Sequence, residues 1–260
     1  MLSLLPRGIM TVEALKVLGV RVDRVDRYEA LARISYLMDT PGLSQVVTLN
    51  PEYVMLSRKK PELRSIINDS ALSVPDGVGI VWASRLLKNP LKGRVTGTEL
   101  LPEVCRLAAR KCQSVFFLGG KPGVAQAAAA RLQSRFPDLS IAGISSNDPG
   151  PDWDPRTLEE INRSGARVLA VAYGCPKQDY WIDTNREELS TVRVAIGVGG
   201  AFDFISGEIP RAPGWVRRAG MEWLYRLWLE PSRLKRMLAL PRFGWRVLRE
   251  RRRSGKHPTP

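Results

Sequence analysis

From residue 45 to residue 198 the chain alternates short, continuously apolar runs with longer amphipathic stretches. Runs such as VLAVAY and VAIGV lack polar positions, which is typical of parallel strands covered by helices on both faces. The pattern therefore predicts an α/β fold with a mostly parallel sheet. The predicted strands are 45–49, 72–74, 114–118, 139–144, 167–173 and 192–198. The predicted helices are 52–68, 77–87, 98–111, 124–136, 154–162 and 177–188.

The pattern changes at both ends of this region. Residues 17–22 predict one short strand, and a helix is expected between it and residue 39. After Pro210 the alternation gives way to Arg- and Trp-rich helical segments. Pro213, Pro231 and Pro241 are expected to interrupt these helices, because proline disfavours helix interiors. We predict an α/β core over residues 1–208 and a helical C-terminal appendage over residues 209–260.

The C-terminal appendage carries most of the positive charge. From Arg211 onward it contains fourteen Lys and Arg against three Glu, which is +11 of the formal net charge of +14, and four of the seven tryptophans. Cations interleaved with Trp and Leu are typical of an interfacial helix that binds an anionic membrane surface. A basic arm for nucleic acid and a helix packed on its own domain are the alternatives. The tryptophans argue against nucleic acid, because tracking phosphates requires no buried indoles.

Composition excludes several functional classes. No apolar run approaches the roughly 18–20 residues of a spanning helix, and residues 1–10 lack the features of a signal peptide. The three cysteines show no C-x-x-C spacing, as expected in a reducing cytoplasm. The one histidine, His257, lies in a polar tail, which excludes a Ser-His-Asp triad and a histidine metal site. Acid–base chemistry must come from carboxylates, and anion stabilisation from Arg, Lys and backbone amides.

Polar and glycine-rich motifs follow the predicted strands, and in order they are TLNP, PDG, GGKPG, YGCPKQD and GVGG. Because open α/β sheets bind ligands outside the carboxyl ends of their strands, these motifs are expected to face one crevice. Asp76 of the PDG motif is either a helix N-cap or a general base. The turns at Gly119, Gly120 and Gly199 either present N–H groups to a phosphate or only need a positive φ.

Seven motifs occur in order along the chain: TLNPEYV, VPDGVGIV, RVTGTELLP, FFLGGKPGVA, AYGCPKQDYWI, IGVGGAFDFISGEIPRAP and GMEWLYRLWLEPSRLKRM. Over about residues 15–243 the chain thereby resembles the WecG/TagA/CpsF family of bacterial glycosyltransferases, glycosyltransferase family 26. The resemblance implies a Rossmann-like, family-specific fold. It also implies inverting transfer of an N-acetylmannosamine-type sugar from a UDP donor to N-acetylglucosamine on a polyprenyl diphosphate, in the synthesis of wall teichoic acid, common antigen or capsule.

The resemblance also assigns roles to individual residues. Asp76 matches the catalytic base, and no cofactor or metal is implied. Thr48, Asn50, Arg94 and Gln178 match positions that line the substrate site, and Asp203 matches a position near the nucleotide. To these substrate-binding candidates we add the glycines of the turns, Gly119, Gly120 and Gly199. The positions for the lipid diphosphate are Arg226, Arg233 and Arg236, whose spacing predicts one helical face if the helix resumes after Pro231. The expected location is the cytoplasm, peripheral on the inner face of the cell membrane.

Other interpretations stay open at this point. A nucleotide-dependent oxidoreductase shares the sheet and glycine turns, but no acidic residue stands about 20 positions after GGKPG. A non-catalytic nucleic-acid-binding protein would leave Asp76 and Gln178 unexplained. The D-x-D motif at residues 152–154 matches a metal-binding pattern, although its Pro/Gly-rich surroundings favour a turn. This loop departs from the family pattern, so the donor sugar is not determined, and a homo-oligomer is compatible with the sequence.

Overall fold

The computed structural model describes residues 12–147, 155–231 and 234–254. The D-x-D motif at residues 152–154, Arg233 and His257 therefore lie outside the described residues. The described chain starts with an antiparallel hairpin of β1 (Ala14–Val17) and β2 (Val20–Asp23). The prediction of one strand over residues 17–22 was wrong, because Leu18 and Gly19 have φ values of 53° and 84° and form the tight turn of a hairpin.

The six remaining strands form one sheet in the order β4-β3-β8-β7-β5-β6, and every neighbouring pair is parallel. All six lie within two residues of the predicted bounds, which confirms the α/β class. In chain order they are β3 (Ser44–Leu49), β4 (Leu72–Pro75), β5 (Val115–Gly119), β6 (Ile141–Ser145), β7 (Val168–Ala172) and β8 (Val194–Gly197).

Helices cover both faces of this sheet. Phe116 and Phe117, neighbours on β5, are fully buried in two different core clusters, as alternation along a strand requires. The predicted helix 52–68 is two helices, because Pro61 starts a new one and Lys60 before it is extended. The helices up to residue 206 are α1 (Arg27–Asp39), α2 (Pro51–Ser57), α3 (Pro61–Asp69), α4 (Val78–Leu86), α5 (Gly97–Arg110), α6 (Val124–Arg135), α7 (Pro155–Ser164), α8 (Lys177–Thr184) and α9 (Ala201–Ser206).

The C-terminal segment adds the four helices α10 (Gly214–Arg218), α11 (Glu222–Leu229), α12 (Leu234–Met237) and α13 (Ala239–Ser254). Helix α13 packs on α2 and α4, and Phe243 and Val247 are buried in the same cluster as Leu49 and Ile80. Part of the appendage is therefore continuous with the core of the protein, while the division at residues 208 and 209 stays a prediction. No helix within the described ranges is long and apolar enough to cross a membrane.

Candidate active site

A crevice of about 1000 Å³ opens at the carboxyl ends of the central strands. It is lined by residues that directly follow β3, β4, β5, β7 and β8, and α11 to α13 form its opposite wall. The sheet therefore brings the five motifs together, as expected for a parallel sheet. The predicted site residues that line the crevice are Thr48, Asn50, Asp76, Arg94, Gly120, Gln178, Gly199, Asp203, Arg226 and Arg236.

Asp76 follows β4 and is half-buried at the crevice. It does not cap α4, since the N-cap residue is Gly77 with a φ of 101°. Burial raises the pKa of Asp76 from its ordinary 3.8 to about 7, although the backbone N–H of Gly97 and the charge of Arg94 oppose the rise. A carboxylate with a pKa near neutrality can accept a proton in a reaction at physiological pH. The structure thus excludes Asp76 as the N-cap of α4, and its role as general base stays a prediction.

Two glutamates that the sequence did not single out as catalytic groups surround this carboxylate. The charges of Glu222 and Glu99 both raise the pKa of Asp76. Glu222 lies on α11, and one of its oxygens is 3.9 Å from an Arg94 nitrogen. Glu99 is paired with Arg211 at 3.4 Å. The C-terminal segment therefore contributes, through Glu222, to the raised pKa of Asp76. No local sequence pattern could have linked residues 76 and 222.

Thr48 and Gln178 use their polar atoms to hold the rim of the crevice together. The Thr48 hydroxyl donates to the carbonyl oxygen of Gly197 at 2.9 Å. Gln178 donates through Nε2 to the Tyr53 hydroxyl at 2.6 Å and accepts from the backbone N–H of Gly199 at 3.0 Å. A side chain at residue 197 would lie 2.3 Å from this Nε2 atom. These residues thus join β3, α8 and the turn after β8 into one wall.

Asn50 and Asp179 add to the same wall, Asn50 at the crevice itself and Asp179 buried behind it. Asn50 caps α2 by accepting from the backbone N–H of Tyr53 at 3.1 Å. Asp179 is fully buried, and burial raises its pKa to about 7. Sequence reasoning missed Tyr53, whose hydroxyl accepts from Gln178 and is close enough to Asp179 to feel its charge. Its place in the TLNPEYV motif was the available signal.

The glycine turns meet one of the two requirements considered from the sequence, a positive φ, and the binding of phosphate stays a prediction. Gly119 and Gly120 have φ values of 89° and 82°, which a residue with a side chain rarely adopts. Gly119 lies behind the crevice, where a side chain would meet the Tyr173 ring at 2.7 Å. Gly120 lines the crevice, as does Gly199, whose φ is 51°. The turns are therefore conformationally required, and two of the three glycines are also available to a ligand.

The arginines of the C-terminal segment reach the crevice from two helices. Arg226 on α11 lies 3.5 Å from Asp203 and 2.9 Å from Glu230, and its guanidinium stacks over Phe204 at 4.7 Å. Arg236 on α12 belongs to a separate helix. The expectation of a single helical face was wrong for these two, because α11 ends at Leu229 and α12 starts at Leu234.

Within the described ranges, no group of three His, Cys, Asp or Glu side chains is arranged to hold a metal ion. The residues 152–154 are outside these ranges, so the absence of a metal stays a prediction. The cations that line the crevice are those of lysine and arginine, and they include Arg94, Arg226 and Arg236. A crevice with a near-neutral carboxylate and several arginines has the features of a group-transfer enzyme whose substrates carry phosphate.

Comparison with known proteins defines the class further. The chain matches the glycosyl transferase WecG/TagA/CpsF family over residues 15–257, and it belongs to this family. It is 37% identical over 207 residues, 79% of either chain, to an N-acetylglucosaminyldiphosphoundecaprenol N-acetyl-beta-D-mannosaminyltransferase of Bacillus subtilis (strain 168). Proteins of the same name from Bacillus spizizenii (strain ATCC 23059 / NRRL B-14472 / W23) and Staphylococcus aureus (strain MRSA252) are 35% and 31% identical, over 91% and 92% of this chain and 92% and 94% of theirs.

The family resemblance seen in the sequence is thus confirmed, and the protein is a glycosyltransferase. Membership decides against the oxidoreductase and against the non-catalytic nucleic-acid-binding protein. The roles of the individual site residues stay predictions, because the comparisons assign none of them.

Proposed function

We propose that this enzyme transfers an N-acetylmannosamine-type sugar from a UDP donor to N-acetylglucosamine on a polyprenyl diphosphate, with inversion at the transferred carbon. The names of the relatives support the sugar and the lipid-linked acceptor. The observation that carries the mechanism is Asp76, whose pKa is raised to about 7 beside Arg94 in the crevice. The products would enter a cell-surface polysaccharide.

In the proposed reaction an acceptor hydroxyl attacks C1 of the donor sugar. The new C–O bond forms as the bond from C1 to the UDP oxygen breaks, and Asp76 accepts the hydroxyl proton. The departing diphosphate gains negative charge, which needs cations and oriented N–H groups where no metal is used. Arg94, the turns at Gly120 and Gly199, and the C-terminal arginines are the groups for this role.

The size and the covering of the crevice support a two-substrate reaction. A volume of about 1000 Å³ lies at the upper end of the range for small-molecule sites, as a sugar nucleotide and an acceptor sugar together require. Helices α11 to α13 cover this space, with Glu222, Arg226 and Phe243 among its lining residues. Exclusion of water by these helices would protect the donor from hydrolysis.

We further propose that the C-terminal helices bind an anionic membrane surface at the inner face of the cell membrane. Trp215 and Trp228 are 62% and 75% exposed, and the arginines of the α13 end, Arg251 to Arg253, are exposed as well. Exposed indoles and cations on short helices are what peripheral binding to anionic headgroups requires. The site would then meet its lipid acceptor at the surface.

A direct assay tests the reaction. The purified chain is incubated with UDP-N-acetylmannosamine and a soluble lipid-diphosphate-linked N-acetylglucosamine, and the disaccharide is analysed by NMR for its anomeric configuration. We expect release of UDP that depends on the acceptor, and a product of inverted configuration. Release of UDP at the same rate without acceptor, or a product that retains the configuration, would overturn the proposal. A panel of other UDP-sugars under the same conditions identifies the donor.

A further inference from the structure

One wall of the crevice carries large apolar side chains that are only partly buried. Val78 and Trp82 on α4 line the crevice, and although apolar they are 43% and 44% exposed. Their spacing of four residues puts them on the same helix face. Trp223 on α11 also lines the crevice and is 42% exposed. Large apolar side chains exposed inside a concave site indicate an apolar ligand.

The facing side of this wall comes from the C-terminal helices. Leu240 and Phe243 lie three residues apart on α13 and line the same crevice, and Met237 at the end of α12 continues the row. Because α13 packs on α4, the two apolar faces border one groove. We call this the α4–α13 groove, and it is formed by Val78, Trp82, Trp223, Met237, Leu240 and Phe243.

The α4–α13 groove is continuous with the charged end of the crevice. Val78 stands two residues after Asp76, and Met237 directly follows Arg236. A ligand with its anionic group at the arginines and its reacting sugar at Asp76 would therefore place the portion beyond the anionic group against apolar side chains. This order of chemistry, sugar, then diphosphate, then branched hydrocarbon, is that of a polyprenyl-diphosphate-linked sugar.

We infer that the α4–α13 groove binds the first isoprene units of the acceptor lipid, a subsite that rests on the proposed function and extends it. The branched hydrocarbon next to the diphosphate packs between α4 and α13, and the rest of the lipid continues into the membrane. Contact with the first units adds apolar burial to acceptor binding even in the absence of a bilayer. It also holds the diphosphate in register with Arg236 and the acceptor hydroxyl in register with Asp76.

Gly244 offers a position from which a larger side chain can enter the groove. It lines the crevice one residue after Phe243, and a Cβ atom there would meet no heavy atom within 4 Å. The position is helical, so Gly244→Leu removes a residue that weakens helices while occupying the space of the ligand. Gly214→Leu is the matched control, because Gly214 also has no atom within 4 Å of an added Cβ and is absent from the crevice lining.

The test compares two water-soluble acceptors without membrane or detergent. Both carry N-acetylglucosamine on a diphosphate, one as a methyl ester and the other as a citronellyl ester with two isoprene units. For the wild-type chain we expect the KM of the citronellyl acceptor to be about tenfold lower. For Gly244→Leu the KM of the methyl acceptor divided by that of the citronellyl acceptor should fall to near one. Gly214→Leu should keep the wild-type ratio. Thermal unfolding of all three proteins verifies that each is folded.

Each outcome is decisive. The inferred isoprene subsite is wrong if the wild-type KM ratio is near one, or if Gly244→Leu leaves the ratio at the wild-type value. In either case the proposed function stands. If Gly244→Leu does not fold, Trp82→Ala replaces it, with the same expected loss of the ratio. Absence of transfer to either acceptor by the wild-type chain overturns the proposed function, and the subsite with it.

Discussion

Arg236 and Glu52 form a two-point ion pair, with the arginine Nε and Nη2 atoms at 2.7 and 3.0 Å from the two carboxylate oxygens. The pair joins α12 to α2 across 184 positions of the chain. Arg226 with Asp203 and Arg94 with Glu222 make further ion pairs between the C-terminal helices and the core. These carboxylates pair with the guanidinium groups that we propose bind the diphosphate. Exchange of carboxylate for diphosphate would keep each arginine paired throughout the reaction.

Asp76→Asn should abolish transfer while the UDP-sugar still binds. The amide keeps the shape of the side chain but cannot accept the proton, and the loss of a general base lowers rates by about 10²–10⁴-fold. Acceptor-dependent UDP release measures the turnover, and calorimetric titration with the UDP-sugar measures binding. A turnover within about threefold of the wild type would remove Asp76 from the mechanism.

The rate should depend on pH through the same group. The acceptor proton can be taken only by the ionised carboxylate, and burial raises the pKa of Asp76 to about 7. We therefore expect kcat/KM for the acceptor to rise with pH and to level off above about 7. Asp179 also has a pKa of about 7, so Asp179→Asn is the control and should retain this rise. A pH-independent rate from pH about 5 to 9 would contradict the role of Asp76.

Asp179→Asn should instead change how stability varies with pH. The pKa of Asp179 is raised from 3.8 to about 7 by burial, so between these values the folded chain holds a proton that the unfolded chain releases. The stability is therefore full below the unfolded pKa and declines as pH rises through this window. The neutral amide removes this decline. We expect the Tm of the variant, relative to the wild type, to increase from pH about 5 to 8, and parallel Tm curves would show that Asp179 is not protonated in the folded state.

Arg226 and Arg236 should matter for catalysis, and the exposed arginines at the end of α13 for membrane binding. Replacing Arg226 and Arg236 by Ala removes charge-assisted hydrogen bonds to diphosphate, and we expect kcat/KM on a soluble acceptor to fall about 10–100-fold. Changing Arg251, Arg252 and Arg253 to Ala should leave that value near wild type but weaken sedimentation with anionic vesicles. If both sets of substitutions affect only vesicle binding, the segment is a membrane anchor alone.

These substitutions separate the two roles more sharply than removal of residues 211–260 would. We expect such a truncation to release the protein from vesicles and to disable catalysis. However, Phe243 and Val247 are buried in the core, so the truncation also exposes apolar surface around α2 and α4. Loss of activity in the truncated chain would then report the loss of packing together with the loss of the arginines.

Chelation should leave the activity unchanged. If the D-x-D motif at residues 152–154 forms a turn, enzyme treated with EDTA keeps its rate, and so does a variant in which Asp152 and Asp154 are both replaced by Asn. The measurement is UDP release before and after dialysis against EDTA. Loss of activity that Mn²⁺ or Mg²⁺ restores would overturn the metal-free mechanism.

The sequence by itself determined the parallel sheet, its six strands and the edge at which the site lies. Buried strands need continuous apolar runs, and parallel strands end at one edge, so both properties can be seen in local patterns. Asp76 could be recognised as a candidate for the same reason, because it lies two residues after the predicted strand 72–74. The family motifs added Thr48, Asn50 and Gln178 as candidates.

Only the tertiary structure decided how the C-terminal segment completes the site. Its Arg and Trp pattern indicated a membrane helix, yet Phe243 and Val247 of the same segment are core residues. The sequence could not distinguish the two cases, because the same apolar side chains are found facing lipid and facing protein. The structure was also needed to show that Gly77, and not Asp76, caps α4, and that burial raises the pKa of Asp76. The effect of Glu222 on that pKa depends on proximity between residues far apart in the chain, and such proximity exists only after the helices have packed.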